Sequence, residues 1–188
     1  MDTLQALTSR VSVGQLTEPA PDAAQLEQML SAALSAPDHG RLKPWRFLLT
    51  SGEARKQLGD VMARAMQKRE PGVDSGLLDR EKEKPMRAPL IVVVAATARP
   101  NPKIPEIEQI VSAGAAAQNL LLAAHAMGFG GMWRTGGPAY DPEIKVALGL
   151  AASDTIVGFL YLGTPLRPAM PRKPVAAEGL VSVWGGNT

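Results

Sequence analysis

The run Leu90-Ile91-Val92-Val93-Val94-Ala95-Ala96 constrains this chain more than any other stretch. It shows no polar alternation and four of its residues are β-branched, so the strand it forms must be covered on both faces. Pro85 and Pro89 bracket its entry, and the proline-rich loop 99–105 follows it. A strand buried on both sides needs helices above and below it. The rest of the chain has to supply two helical layers.

The helix signals are there. Asp2-Thr3-Leu4-Gln5 and Asp22-Ala23-Ala24-Gln25 both have the spacing of a capping box. The first predicts a short helix to about Ser9. The second opens a helix with Leu26, Met29, Leu30, Ala33 and Leu34 on one face, ending before Pro37. Trp45 to Thr50 reads as a strand, after which Ser51 is placed to cap a helix with Leu58, Val61, Met62, Ala65 and Met66 facing the core. The polar region from Lys68 to Lys84, broken by Pro71, Gly72 and Gly76, reads as a mobile loop followed by a short charged helix. Pro105 can open the longest helix, which runs to about Met127 and is stopped by Gly128. Asp141-Pro142 starts another helix, Thr155 to Gly163 is a strand, and Leu180 to Trp184 has the pattern of a final short strand. The small residues Ser112 to Ala117 admit two packings for the longest helix, at the centre of one subunit or at a dimer axis.

Composition narrows the class. With 188 residues the chain suits one domain, 1–188, with residues 164–188 as a proline-rich tail. Twenty basic against eighteen acidic residues give +2, and no clustered basic face of the kind nucleic acid requires. The densest charge, Asp79-Arg80-Glu81-Lys82-Glu83-Lys84, alternates in sign and reads as a solvated helix face. There is no cysteine, which removes disulfides, thiolate metal sites and a cysteine nucleophile, and fits a reducing cytosol. No secretory signal and no membrane-spanning run is apparent, so the expected location is cytoplasmic with no membrane partner.

Most common active-site patterns are also missing. His39 and His125 are the only histidines and neither has metal-ligand spacing, so no metal is expected. There is no nucleophile elbow and no phosphate loop. The glycine-rich stretch Gly128 to Gly137 follows a helix and not a strand, the wrong context for a dinucleotide fingerprint, though its backbone is free to lie against a ligand. Three features remain: Arg10 with Ser12, the segment Ala36-Pro37-Asp38-His39-Gly40-Arg41-Leu42-Lys43-Pro44-Trp45, and Trp133-Arg134. Arginine beside a hydroxyl suits a phosphate through charge-assisted hydrogen bonds. Trp133 and glycine backbone can border a planar ring. These needs fit a flavin mononucleotide, but composition alone does not choose it over other phosphorylated ligands.

A set of ordered landmarks makes that choice. Arg10-Val11-Ser12, Glu18-Pro19-Ala20-Pro21, Ala36-Pro37-Asp38-His39, Pro44-Trp45, Arg87-Ala88-Pro89-Leu90-Ile91, Gly128 to Arg134 and Ile156 to Pro165 together cover residues 2 to 166. In this set the chain resembles the flavin-dependent nitroreductase family, in its short YdjA-type branch of NAD(P)H nitroreductases. The resemblance implies an α+β fold, a nitroreductase-like three-layer α/β/α sandwich around a mixed sheet, in an intertwined homodimer. It implies one FMN at each of two sites between subunits. Arg10, Val11 and Ser12 would take the phosphate and ribityl end. Ser35 and His39 would reach the flavin from the partner, and Trp133, Arg134 and Thr135 would complete the pocket. The run Ala123, Ala124, His125, Ala126, Met127 and Gly128 matches the family's nicotinamide-nucleotide contact. The tail 164–188 would pack on the partner subunit.

Three positions depart from the family. Val11 stands where a second arginine is usual, which shifts the phosphate's charge onto Arg10 and Arg134. Ser35 replaces a larger basic residue, and Thr135 replaces a serine while keeping the hydroxyl. The activity implied is transfer of hydride from NAD(P)H through FMN to a nitroaromatic or quinone-like acceptor. No side chain would be a required proton donor, and Arg10 and Arg134 would give electrostatic support. Two alternatives stand beside it: an FMN-binding redox protein of the same fold with another substrate, and a non-enzymatic homodimeric binding protein.

Overall fold

A computed structural model of the protein describes residues 1–173 and 175–185. The remaining tail residues, 174 and 186–188, lie outside the described residues. In chain order the elements are α1 (Thr3–Ser9), β1 (Leu16–Thr17), α2 (Ala23–Leu34), β2 (Trp45–Ser51), α3 (Glu53–Arg69), α4 (Ser75–Glu83), β3 (Leu90–Ala96), α5 (Glu106–Ala126), β4 (Gly130–Arg134), α6 (Gly137–Tyr140), α7 (Pro142–Ala147) and β5 (Thr155–Pro165). Single 3-10 turns sit at His39–Arg41 and Lys84–Arg87.

The β3 strand is central, as its sequence requires. It pairs with β2 on one side and β5 on the other, and β4 pairs with β5 beyond it. Every residue of β3 is buried. Leu90, Val92 and Val94 pack with Met29 and Ala33 of α2 and Leu120 and Ala124 of α5. Ile91, Val93 and Ala95 pack with Leu58, Met62 and Ala65 of α3 and Ile144 of α7. The strand's two-residue period thus divides one run of sequence between two helical layers. Burying each β3 valine contributes about 2 kcal/mol. The expected three-layer α+β sandwich is present.

The sheet differs from expectation in one respect. Every paired strand is antiparallel, and the one parallel contact among the described residues is an isolated bridge from Ser12 to Gly131.

Several local expectations hold. Asp22 and Gln25 form the complete capping box, and Asp2 caps α1 through Gln5 N. Asp141 caps α7 with Pro142 at its first position. Others are corrected. Ser51 ends β2, and Gly52, with no side-chain bond, takes the cap position of α3. The Lys68–Lys84 region holds the end of α3, one turn and the nine-residue helix α4. That helix lies against α3 because Gly59 leaves room for it, since a Cβ there would sit 2.1 Å from the Lys82 carbonyl oxygen. Its Glu81 is consequently buried, against the reading of residues 79–84 as a wholly solvated face. Leu180 to Trp184 forms no strand, and its apolar side chains are exposed.

The largest correction is β4. Its glycines read from the sequence as backbone free to lie against a ligand, but the stretch after α5 is a strand whose glycines serve packing. A Cβ on Gly131 would meet Leu121 at 2.7 Å and Leu162 at 3.2 Å. Opposite it, a Cβ on Gly158 would fall 2.1 Å from Trp133 Nε1, so glycine there lets the indole lie on β5 and donate to the Val157 carbonyl at 3.1 Å. Close approach of backbones explains these glycines as well as a ligand does.

Candidate functional site

The residues singled out from the sequence fall at three places. Arg10, Val11, His125 and Gly128 line a cleft of about 430 Å³ at the C-terminal end of α5. Arg10 is there because it caps α1, its N–H bonding the Ala6 carbonyl at 3.2 Å, and because α1 packs across the end of α5. Ser9 Oγ and His125 Nε2 are 2.8 Å apart, a link between the two helices. Partial burial, and then the charge of Arg10, hold the His125 imidazole below its ordinary pKa of 6.5. Met170 and Pro171 of the tail close one side of the cleft.

From the cleft the chain runs along the edge of the sheet. Val13 N donates to the Gly131 carbonyl at 3.0 Å, which fixes Ser12 beside β4 with its side chain exposed. The run 123–128 contributes unevenly. Ala124 is wholly buried in the core and Ala123 and Met127 pack against it. Of the six, only His125 and Gly128 line the cleft.

Trp133, Arg134 and Thr135 line a second hollow, of about 310 Å³, with Lys84, Phe159 and Tyr161. Arg134 follows from strand alternation. It points to the α3 face, with its guanidinium carbon 5.6 Å from the centre of the Tyr161 ring. A Cβ on Gly14 would lie 3.9 Å from its Nη2, so the segment after Ser12 passes close to this arginine. Burial pushes the Tyr161 hydroxyl up to about 12, against the opposing pull of Arg134 and Arg87. The phenol stays protonated and can donate. Lys84 and Tyr161 are members of this hollow that sequence reasoning missed. Lys84 belonged to a charge run that looks like surface, and Tyr161 to an apolar strand.

Ser35 and His39 are elsewhere. Ser35 ends α2, its hydroxyl donating to the Ala32 carbonyl at 2.7 Å. His39 Nδ1 is 2.6 Å from Glu108 Oε2 in the first turn of α5. The loop is held by Asp38, whose carboxylate accepts from the backbone N–H groups of Leu42 at 3.0 Å and Lys43 at 2.7 Å. Those bonds hold Arg41 (φ 54°) and Lys43 (φ 48°) in the left-handed region, which costs a non-glycine residue about 1 kcal/mol or more. Glu108 and His125 are seventeen positions apart on α5, about 26 Å along the helix. Within one chain the histidine loop and the arginine cleft do not meet.

Comparison with known proteins gives the class. Residues 7–164 match the model of the nitroreductase family, and the chain belongs to that family of oxidoreductases. The Escherichia coli (strain K12) protein named "Putative NAD(P)H nitroreductase YdjA" is 42% identical over 165 residues, covering 88% of this chain and 89% of that one. A Haemophilus influenzae relative with the same enzyme designation is 35% identical, covering 90% and 91%. Among solved structures, a nitroreductase-like family protein from Bacillus cereus superposes with a TM-score of 0.84 at 25% identity, over 99% of this chain and 97% of that one. A nitroreductase-type protein from Desulfovibrio desulfuricans, solved in complex with FMN, gives 0.72 at 25% identity over 96% of each chain.

Proposed function

We propose that the protein is an FMN-dependent NAD(P)H oxidoreductase that acts as a homodimer and reduces nitroaromatic or quinone-like acceptors. The separation of His39 from Arg10 by the length of α5 carries this reading. If both serve one flavin, they must come from different subunits. A two-fold axis across an antiparallel pair of α5 helices would bring the start of one beside the end of the other. The helix face between them supports such a contact. Ile107 and Val111 are 63% and 62% exposed, and a Cβ on Gly114 would meet nothing within 4 Å. The exposed apolar tail side chains Leu180, Val181 and Val183 are available to cover the partner.

The side chains present fit the cofactor. Arg10, Ser12 and Arg134 offer charge-assisted donors for a phosphate. Val11 adds none, so the two arginines carry that charge. The Thr135 and Tyr161 hydroxyls and the Lys84 ammonium border the hollow that Arg134 lines. His39, fixed by Glu108, and Ser35 would be the partner's contribution, while His125 and Gly128 would meet the nicotinamide nucleotide in the cleft. When bound, FMN supplies the centre that accepts and passes on hydride. The chain's part is to hold the ring, keep Tyr161 protonated as a donor, and place positive charge where negative charge develops.

The test is to add FMN to the purified protein and follow NADH and NADPH oxidation with a nitroaromatic and a quinone. FMN binding with acceptor-dependent oxidation is expected. A protein that binds FMN and oxidises neither nucleotide would be a flavoprotein with another substrate, and one that binds no FMN would overturn the reading.

A further inference from the structure

Glu81 is an acid in an unusual place. It lies on the inner face of α4, 5% exposed, because Gly59 lets that helix settle onto α3 and the Asp60–Lys82 ion pair, at 2.8 Å, holds it there from outside. Its Oε2 is paired with Lys84, one turn on. Its Oε1 has no hydrogen-bond partner among the described residues, the only buried side-chain oxygen or nitrogen of which that is true. A buried carboxylate with one unpartnered oxygen costs stability, and a well-packed apolar residue would usually serve the fold better. Lys84 meanwhile lines the hollow that contains Arg134 and Tyr161. Glu81 is also close enough to Tyr161 to oppose loss of its proton.

We infer that Glu81 is a positioning and charge-setting residue for this hollow: it tethers the Lys84 ammonium at the rim and offsets part of its charge, and so sets how strongly the site prefers reduced over oxidised FMN. The inference rests on the FMN reading of the site. Two cations, Arg134 and Lys84, face the hollow. Without an acid behind them they would favour the anionic reduced cofactor strongly, and one buried negative charge moderates that preference. At the separations within such a pocket, a unit charge in a medium between protein and water changes the ratio of the two affinities by about tenfold.

The experiment measures that ratio. Apoprotein is titrated with oxidised FMN in air and with dithionite-reduced FMN anaerobically, for the wild type, Glu81→Gln, Lys84→Met and the double variant. Glu81→Gln is expected to shift the ratio about tenfold towards reduced FMN and Lys84→Met about tenfold the other way, with the double variant between them. A purely structural role would weaken both oxidation states alike and leave the ratio unchanged, which would overturn the inference. If Lys84→Met does not fold, because it leaves the buried Glu81 carboxylate without its cation, Glu81→Gln decides, since the amide keeps the shape of the side chain and carries no charge. FMN bound with an unchanged ratio sinks this inference alone, whereas a wild type that binds no FMN sinks the functional reading with it.

Discussion

The two ends of α5 are built differently. At the C-terminal end the left-handed residue is Gly128 (φ 89°), the neighbouring strand is packed through glycine, and Arg10 and His125 sit in a walled cleft. At the N-terminal end the left-handed residues are Gly40 and the non-glycines Arg41 and Lys43, held by Asp38, and His39 and Glu108 stand out with side chains 61% and 45% exposed. One end is finished within the chain. At the other, strained residues follow a histidine whose side-chain partner among the described residues is Glu108. Strain of that kind persists where surrounding bonds over-determine it, and it marks a side chain whose position matters. In the proposed dimer this difference would make the two ends complementary halves, joined by the exposed apolar face of the helix between them.

The strongest way to break that comparison is to separate the halves. Val111→Glu puts a charge on the exposed face of α5, where it costs the protomer little because the valine is 62% exposed. The variant should elute as a folded monomer and lose FMN affinity by about a hundredfold, the effect of stranding a charge in an apolar interface. Size-exclusion chromatography with circular dichroism and an FMN titration checks this. A dimer with full FMN affinity would show that the halves do not meet across α5.

The two ends should then differ in how much each contributes. Arg10→Ala removes a charge-assisted donor from a half-buried position and should weaken FMN binding by about tenfold to a hundredfold. His39→Ala and Glu108→Gln act on an exposed pair; the first should weaken binding by about fivefold and the second by less, with the fold unchanged. Glu108→Gln separates position from charge, since the amide keeps a hydrogen bond to the imidazole and should retain more affinity than His39→Ala. Unchanged affinity in His39→Ala would remove the histidine from the site.

How much of this was legible follows from the same contrast. Strong local signals read correctly: the unbroken run of β3, the Asp22–Gln25 capping box, and proline and glycine bounding α5. The family landmarks named the arginine and histidine positions. What escaped was set by packing at a distance. Gly130 and Gly131 read as backbone free to meet a ligand, yet the side chains that crowd them are Leu16, on a separate strand, and Leu121, in the preceding helix. Glu81 looked solvated because its neighbours alternate in charge, and its burial depends on Gly59. Ala124 sat inside a plausible binding run and faces the core, a matter of helical phase.

The smallest effect belongs to the C-terminal end and is one of proton affinity. His125 has its pKa lowered from 6.5 in the folded protein, first by desolvation and then by Arg10. The unfolded chain therefore binds this proton more readily than the folded one. Above pH 6.5 both states are neutral at His125 and it makes no contribution. As pH falls below 6.5 the unfolded state charges first, so stability is lost progressively until the folded-state pKa is passed. His125→Gln should flatten that part of the stability profile. The effect will be small because His125 is partly open to solvent. Thermal midpoints of the wild type and the variant between pH 7.5 and about pH 5 read it directly, across the range where an ordinary histidine titrates. An unaltered slope in His125→Gln would mean that the cleft around Arg10 is more open to water than its walls indicate.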